Sequence, residues 1–260
     1  MGRLSMRRPN VIPRFLSWSL LLAAAATAQI DVRPIPLPEG AGGFYPRFAA
    51  RADGAPLLGW LTRNGEGFAY RVQTLGDVNE PSRIIARGED WFANWADFPL
   101  AARDGSGRLL LLTLQELGEG RFAYGIRARF FPREGGAPKT SWLHDDLSPA
   151  EHGFPAVLPL GGGGFLAVWL DGRAHEKTGN QQLFARVIDA NGAPGPEIRL
   201  DDRTCECCCT AIVSADGVAV AAWRDRRNDE RRDIRIRRRL PDGTWEAPFD
   251  LHLDGWKTPG

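Results

Sequence analysis

Apolar and polar positions recur in four copies along this chain after about residue 40. Tyr45-Pro46, Phe98-Pro99, Phe154-Pro155 and Cys208-Cys209 each open a short strand-like stretch. A turn follows each: Asp53-Gly54, Asp104-Gly105, Gly161 to Gly164, and Asp216-Gly217. Next comes an apolar run, from Leu57 to Leu61, Leu109 to Leu114, Phe165 to Leu170, and Val218 to Trp223. After a further loop the pattern alternates, from Phe68 to Leu75, Phe122 to Phe131, Leu183 to Asp189, and Asp233 to Leu240. The period is roughly 53 to 56 residues, in the range of four-stranded propeller blades.

The apolar runs predict strands buried on both faces, as between neighbouring blades. In the alternating stretch Phe122, Tyr124, Ile126, Ala128 and Phe130 share one face, with Arg127 and Arg129 on the other. These strands belong further from the axis, and no amphipathic helix is expected. Successive connections alternate between the two ends of a blade. Loops between second and third strands therefore share one end, the top, with the blade-to-blade connections. Four blades are expected, at about 44–96, 97–152, 153–207 and 208–260, in an all-β propeller.

The preceding residues read differently. Arg3, Arg7, Arg8 and Arg14 precede an apolar run from Phe15 to Ala26, and Ala26-Thr27-Ala28 has the small residues of a cleavage site. Residues 1–28 read as a signal peptide, with an uncleaved anchor as the alternative. The run is too short for a comfortable membrane span. Residues 29–43 form a Pro- and Gly-rich extended lead-in. The mature chain is expected to be secreted or periplasmic, with no membrane span after cleavage. A formal net charge of +1 supplies no drive toward nucleic acid, which is not an expected partner.

Leu240-Pro241-Asp242-Gly243-Thr244-Trp245 resembles the Asp-box of sialidase-like propellers. Arg133-Glu134-Gly135-Gly136 and Asp189-Ala190-Asn191-Gly192 look like degraded copies. The runs Asn94-Trp95-Ala96-Asp97-Phe98-Pro99, Glu151-His152-Gly153-Phe154 and Trp169-Leu170-Asp171-Gly172-Arg173 strengthen the likeness. The chain thus resembles bacterial sialidase-like (BNR repeat) propellers. That family has six blades against the four counted here, so the resemblance implies a truncated propeller. It also implies an exo-sialidase-like glycoside hydrolase that grips a sugar carboxylate with three arginines and uses a Tyr nucleophile assisted by Glu, with an Asp as acid/base. Arg47 stands near the first arginine's place and Arg224 is a candidate second. The third arginine and the nucleophile Tyr have no assignable counterpart, which leaves catalysis by this chain open.

Candidate chemistry gathers in the top loops. Trp95 and Asp97 lie in the first blade connection, and Glu151 and His152 in the second. Asp171 and Arg173 follow the second strand of blade three, and Arg224 and Asp225 that of blade four. Together with Arg47 these residues are expected to bind an anionic glycan or another small acidic ligand, with Arg173 and Arg224 side by side. Cys205, Cys207, Cys208 and Cys209 are the chain's four cysteines. Export favours disulfides. Clustered thiolates also suit a soft metal, Cu(I) or Zn²⁺, with His152 or Glu206 as further ligands, and free thiols are the third alternative. The alternative function is a non-catalytic propeller whose Cys-rich loop holds such a metal or supports a partner-binding surface.

Overall fold

The structure, a computed structural model, describes residues 42–51, 56–75, 81–132 and 136–258, together with Val32. The expected signal peptide and nearly all of the expected lead-in lie outside the described residues. So does most of the Arg133–Gly136 turn.

Four antiparallel four-stranded sheets follow one another as propeller blades. Blade one holds β1 (Phe44–Arg51), β2 (Leu57–Asn64), β3 (Gly67–Thr74) and β4 (Arg83–Gly88). Blade two opens with the two-residue β5 (Trp91–Phe92), paired to the later β7, and continues with β6 (Leu100–Arg103), β7 (Leu109–Glu116), β8 (Tyr124–Phe131) and β9 (Lys139–Trp142). Blade three holds β10 (His152–Pro159), β11 (Phe165–Asp171), β12 (Gln181–Ile188) and β13 (Ile198–Thr204). Blade four holds β14 (Ala211–Ala215), β15 (Val218–Arg224), β16 (Ile234–Arg239) and β17 (Phe249–Asp250). A parallel bridge at Ala50↔Ala102 and Arg51↔Arg103 links the first strands of blades one and two. One four-residue helix, α1 (His175–Thr178), sits in the loop between β11 and β12.

Period-two alternation divides each middle strand between two neighbours. Leu109 and Leu111 pack toward blade one with Leu57, Leu61, Tyr70 and Val72. Leu110, Leu112 and Leu114 pack toward blade three with Phe165 and Trp169. Leu166, Val168 and Leu170 then meet Ile212, Ala219, Ala221 and Trp223 of blade four. Three apolar seams thus join four blades, and among the described residues no such cluster joins the fourth to the first.

This arrangement corrects one expectation. β7 is buried over its first six residues and β11 throughout. β15 instead alternates, with Ala219, Ala221 and Trp223 buried and Val218, Val220 and Ala222 half-buried. Its apolar run reads as doubly covered, but only its blade-three face belongs to an apolar seam.

Tight turns close the bottom in a shared form. Asp104, Leu160, Asp189 and Leu240 each donate a backbone N–H to the carbonyl four residues on, and accept from the N–H three residues on. The donor three residues on is always glycine at positive φ: Gly107, Gly163, Gly192 and Gly243. Asp189 Oδ1 also accepts from the N–H groups of Asn191 and Ala193, and Asp242 Oδ1 from that of Thr244. The Asp, Gly and Thr quoted as an Asp-box are therefore turn chemistry at the end opposite the site.

The aromatic-proline steps at Tyr45 and Phe154 have a distinct geometry. Both residues lie at positive φ, 53° and 52°, where β1 and β10 shift register. Such bulges re-aim backbone groups at sheet edges and sites. At Phe154 the re-aimed group is the N–H.

Candidate functional site

A cleft of about 910 Å³ opens at the top of blades two and three, bordered by the connections before blade two and after blade three. Its walls come from the loops between second and third strands and from the blade connections, the two sets that strand alternation places at one end. Trp95 and Phe122 stand at its lips, 84% and 49% exposed. Glu151 and Gln181 lie on its floor, with Glu176 and Glu206 on its walls.

A buried hydrogen-bonded chain supports the floor. The Tyr124 hydroxyl lies 2.9 Å from Asp97 Oδ2 and 2.9 Å from Glu151 Oε1. The bulge at Phe154 points its N–H at Asp97 Oδ2, 2.8 Å away. Gln181 donates its amide to the other oxygen of Glu151. The Tyr124 ring is held by stacking on Phe92, with centroids 4.1 Å apart. A phenol carries one proton, so the hydroxyl is shared between two carboxyl groups and can donate fully to only one of them at a time.

The electrostatics agree. Burial pushes Asp97 up to about 7, against the opposing pull of the Phe154 N–H and the Tyr124 hydroxyl. Burial also raises Glu151. Tyr124 is raised strongly, by desolvation first and then by the two carboxylates beside it. Burial thus favours the protonated form of both carboxyl groups and opposes formation of a phenolate.

The candidate residues divide sharply. Trp95, Glu151 and Arg173 line the cleft. Asp97 is only 2% exposed and lies behind Tyr124. His152 and Asp171 are fully buried, with His152 Nδ1 3.1 Å from Asp171 Oδ2 and its ring stacked on His144 at 4.0 Å. Burial and the neighbouring His152 lower His144 to about 3, so that ring is neutral. Arg47, an exposed β1 residue, is outside the cleft lining, although its charge is felt by Asp97.

The expected pair of arginines is not assembled. The fork of Arg173 is filled from both sides. Its Nε and Nη2 reach Asp171 at 2.8 and 2.7 Å, and its Nη1 and Nη2 reach Glu197 at 2.7 and 3.0 Å. The guanidinium also lies over the Phe184 ring, 4.3 Å from its centroid. Arg224 instead donates Nε to the Arg232 carbonyl at 2.9 Å, and its Nη1 lies 3.7 Å from Cys208 Sγ. Asp225 belongs to a separate charged hollow with Asp201, Arg227 and Arg235. Loop sidedness was legible in the chain, whereas the direction of each side chain was not.

The four cysteines are unbridged in this structure, unlike the export-based expectation of disulfides. Cys205, Cys207 and Cys208 converge, while Cys209 turns away toward the Ala96 carbonyl, 3.6 Å off. Cys205 is held down to about 5, chiefly by its contact with Cys208, while Cys207 and Cys208 are raised.

Tyr124 and Gln181 were missed as site residues. Tyr124 sits in an apolar row with Ile126, Ala128 and Phe130 and reads as core. Gln181 opens a strand, with no local signal that its amide meets Glu151.

The fold and cleft define a β-propeller with a polar-floored top pocket. No family model and no curated protein matches the chain. Among solved structures it is similar to a neuraminidase-like protein from A/bat/Guatemala/164/2009, at TM-score 0.50 and 12% identity, covering 77% of this chain and 53% of that one. It spans, then, about half the length of that structure. A protein of unknown function from Dyadobacter fermentans DSM 18053 also has TM-score 0.50 and 12% identity, covering 83% of this chain and 66% of that one. An alpha-L-arabinofuranosidase from Lactobacillus brevis has TM-score 0.47 and 12% identity, covering 77% and 70%. At these identities the likeness is one of fold.

Proposed function

We propose that this propeller binds a carbohydrate in its top cleft. The observation that carries the reading is the pairing of exposed Trp95 and Phe122 at the lips with Glu151 and Gln181 on the floor. Aromatic faces suit the apolar side of a sugar ring, and convergent polar groups below them suit its hydroxyls. The anionic version of this reading has narrower support. Arg173 is already filled by two carboxylates and Arg224 lies outside the cleft lining, which leaves Arg121 and His175 against Glu151, Glu176 and Glu206. A neutral glycan fits this balance better than a sialic-acid-like one.

A second reading, hydrolysis, is favoured by the two carboxyl groups beside Tyr124, both raised by burial. Glu151 is the member of that group at the cleft floor and would serve as the acid. The raised phenol makes Tyr124 a poor nucleophile. Binding is tested by titration with a panel of neutral oligosaccharides and with sialyllactose as the anionic comparison. Trp95→Ala should weaken binding about tenfold or more with an unchanged melting temperature. Wild-type affinity in that variant, or no sugar bound at all, overturns the reading. Release of reducing ends by wild type but not by Glu151→Gln would establish hydrolysis.

A further inference from the structure

We propose that Cys205, Cys207 and Cys208 form a three-thiolate site for one Cu(I) ion. One sulfur from each of these residues lies within 4.8 Å of the others. Cys205 Sγ is 3.9 Å from Cys207 Sγ and 3.2 Å from Cys208 Sγ. An ion about 2.3 Å from three sulfurs in one plane sets those sulfurs ~4 Å apart. The first pair already has this spacing, and the second opens by less than ~1 Å to reach it.

The loop is built to hold the triad. It joins β13 to β14 between the buried residues Thr204 and Thr210. The Cys205 N–H donates to the Arg224 carbonyl at 2.9 Å, and Thr204 bridges Asp225. Cys205 is buried, Cys208 half-buried and Cys207 exposed at the cleft wall, so the site combines a fixed base with an open entrance.

Charge supports thiolates here. Arg232 Nη1 lies 3.6 Å from Cys205 Sγ, and Arg224 Nη1 lies 3.7 Å from Cys208 Sγ. Arg232 shares its fork with Glu230, and Arg224 binds the Arg232 carbonyl, so both guanidinium groups are held in place. Three thiolates around a monovalent ion carry net charge −2, and two fixed cations face it.

Sulfur-only ligation selects a soft ion. A structural Zn²⁺ site is four-coordinate. Among the described residues no fourth His, Cys or carboxylate joins the three sulfurs, and Cys209 points elsewhere. The arrangement therefore favours three-coordinate Cu(I). Of its three ligands only Cys207 borders the cleft, and none belongs to the floor, so the site does not rest on the carbohydrate reading.

The test is an anaerobic Cu(I) titration of the reduced, purified chain against a colorimetric Cu(I) chelator. One tightly bound Cu(I) per chain is expected. Cys205→Ser and Cys208→Ser should each weaken it at least a hundredfold, and Cys209→Ser should leave it unchanged. Circular dichroism and melting of each variant report folding. Copper X-ray absorption on the wild-type chain provides a readout that needs no variant and should show three sulfur neighbours. A copper bound equally well by the Cys205→Ser/Cys207→Ser/Cys208→Ser variant overturns the proposal. So does equal loss in Cys209→Ser, tighter binding of Zn²⁺ than of Cu(I), or a Cys205–Cys208 disulfide in the chain as isolated without reductant. Sugar binding in Cys208→Ser should match wild type, which separates failure of this site from failure of the cleft.

Discussion

The Tyr124 hydroxyl meets Asp97 Oδ2 at 2.9 Å and ties the third strand of blade two to the connection that precedes that blade's first long strand. The same oxygen of Asp97 accepts the Phe154 N–H, so blade three is drawn into the same contact. Tyr124→Phe keeps the ring stacked on Phe92 and removes only the bridging hydroxyl. It should cost about 1–3 kcal/mol, because buried carboxyl groups lose a partner. Urea unfolding at fixed pH measures this, and a variant as stable as wild type would show the bridge to be energetically idle.

Asp97 also makes stability depend on pH. Its unfolded pKa is about 3.9, and in the folded chain burial lifts it to about 7. Between roughly pH 4 and 7 the unfolded chain has released a proton that the folded chain still holds. Stability should therefore be greatest below that window, fall as pH rises through it, and level off above about 7, a loss of up to about 4 kcal/mol. Glu151, raised in the same direction, adds to the slope. In Asp97→Asn the fall in melting temperature between pH 5 and 8 should become markedly shallower.

Gly153 is where this network leaves no room for a side chain. A Cβ there would sit 2.2 Å from Asp97 Oδ2 and 2.8 Å from the Tyr124 hydroxyl. Gly153→Ala should destabilise by about 1–3 kcal/mol and flatten the pH dependence by displacing Asp97. Gly161→Ala, in a turn with nothing within 4 Å of the added carbon, is the control and should melt like wild type. Thermal melts of the two variants side by side make the comparison.

Arg173 offers a stability test that separates architecture from binding. Its guanidinium holds fully buried Asp171 and half-buried Glu197. Arg173→Ala should cost about 3 kcal/mol or more, since it strands a buried carboxylate. Arg173→Lys should recover only part of that loss, because an ammonium cannot fill both forks. Equal stability of all three chains by denaturant titration would contradict this role.

Much of this protein follows from one-dimensional pattern. The period of the repeats, the apolar runs of β7 and β11 and the alternation of β8 specify four sheets with shared seams, because side-chain direction along a strand is set by parity alone. Sidedness of the loops follows from the same alternation, which is why Trp95, Glu151 and Arg173 could be assigned to one cleft from sequence. Tertiary structure decided the chemistry. Tyr124 reads as core until Asp97 and Glu151, 27 residues away on either side, close on its hydroxyl. Arg173 reads as a free cation until Glu197 meets it from β13's approach. Three of four adjacent cysteines converge and the fourth turns outward, which their spacing does not encode. Periodic burial is a local property of a strand, whereas a proton shared between loops, or a charge already neutralised, depends on distances that exist only once the blades have packed.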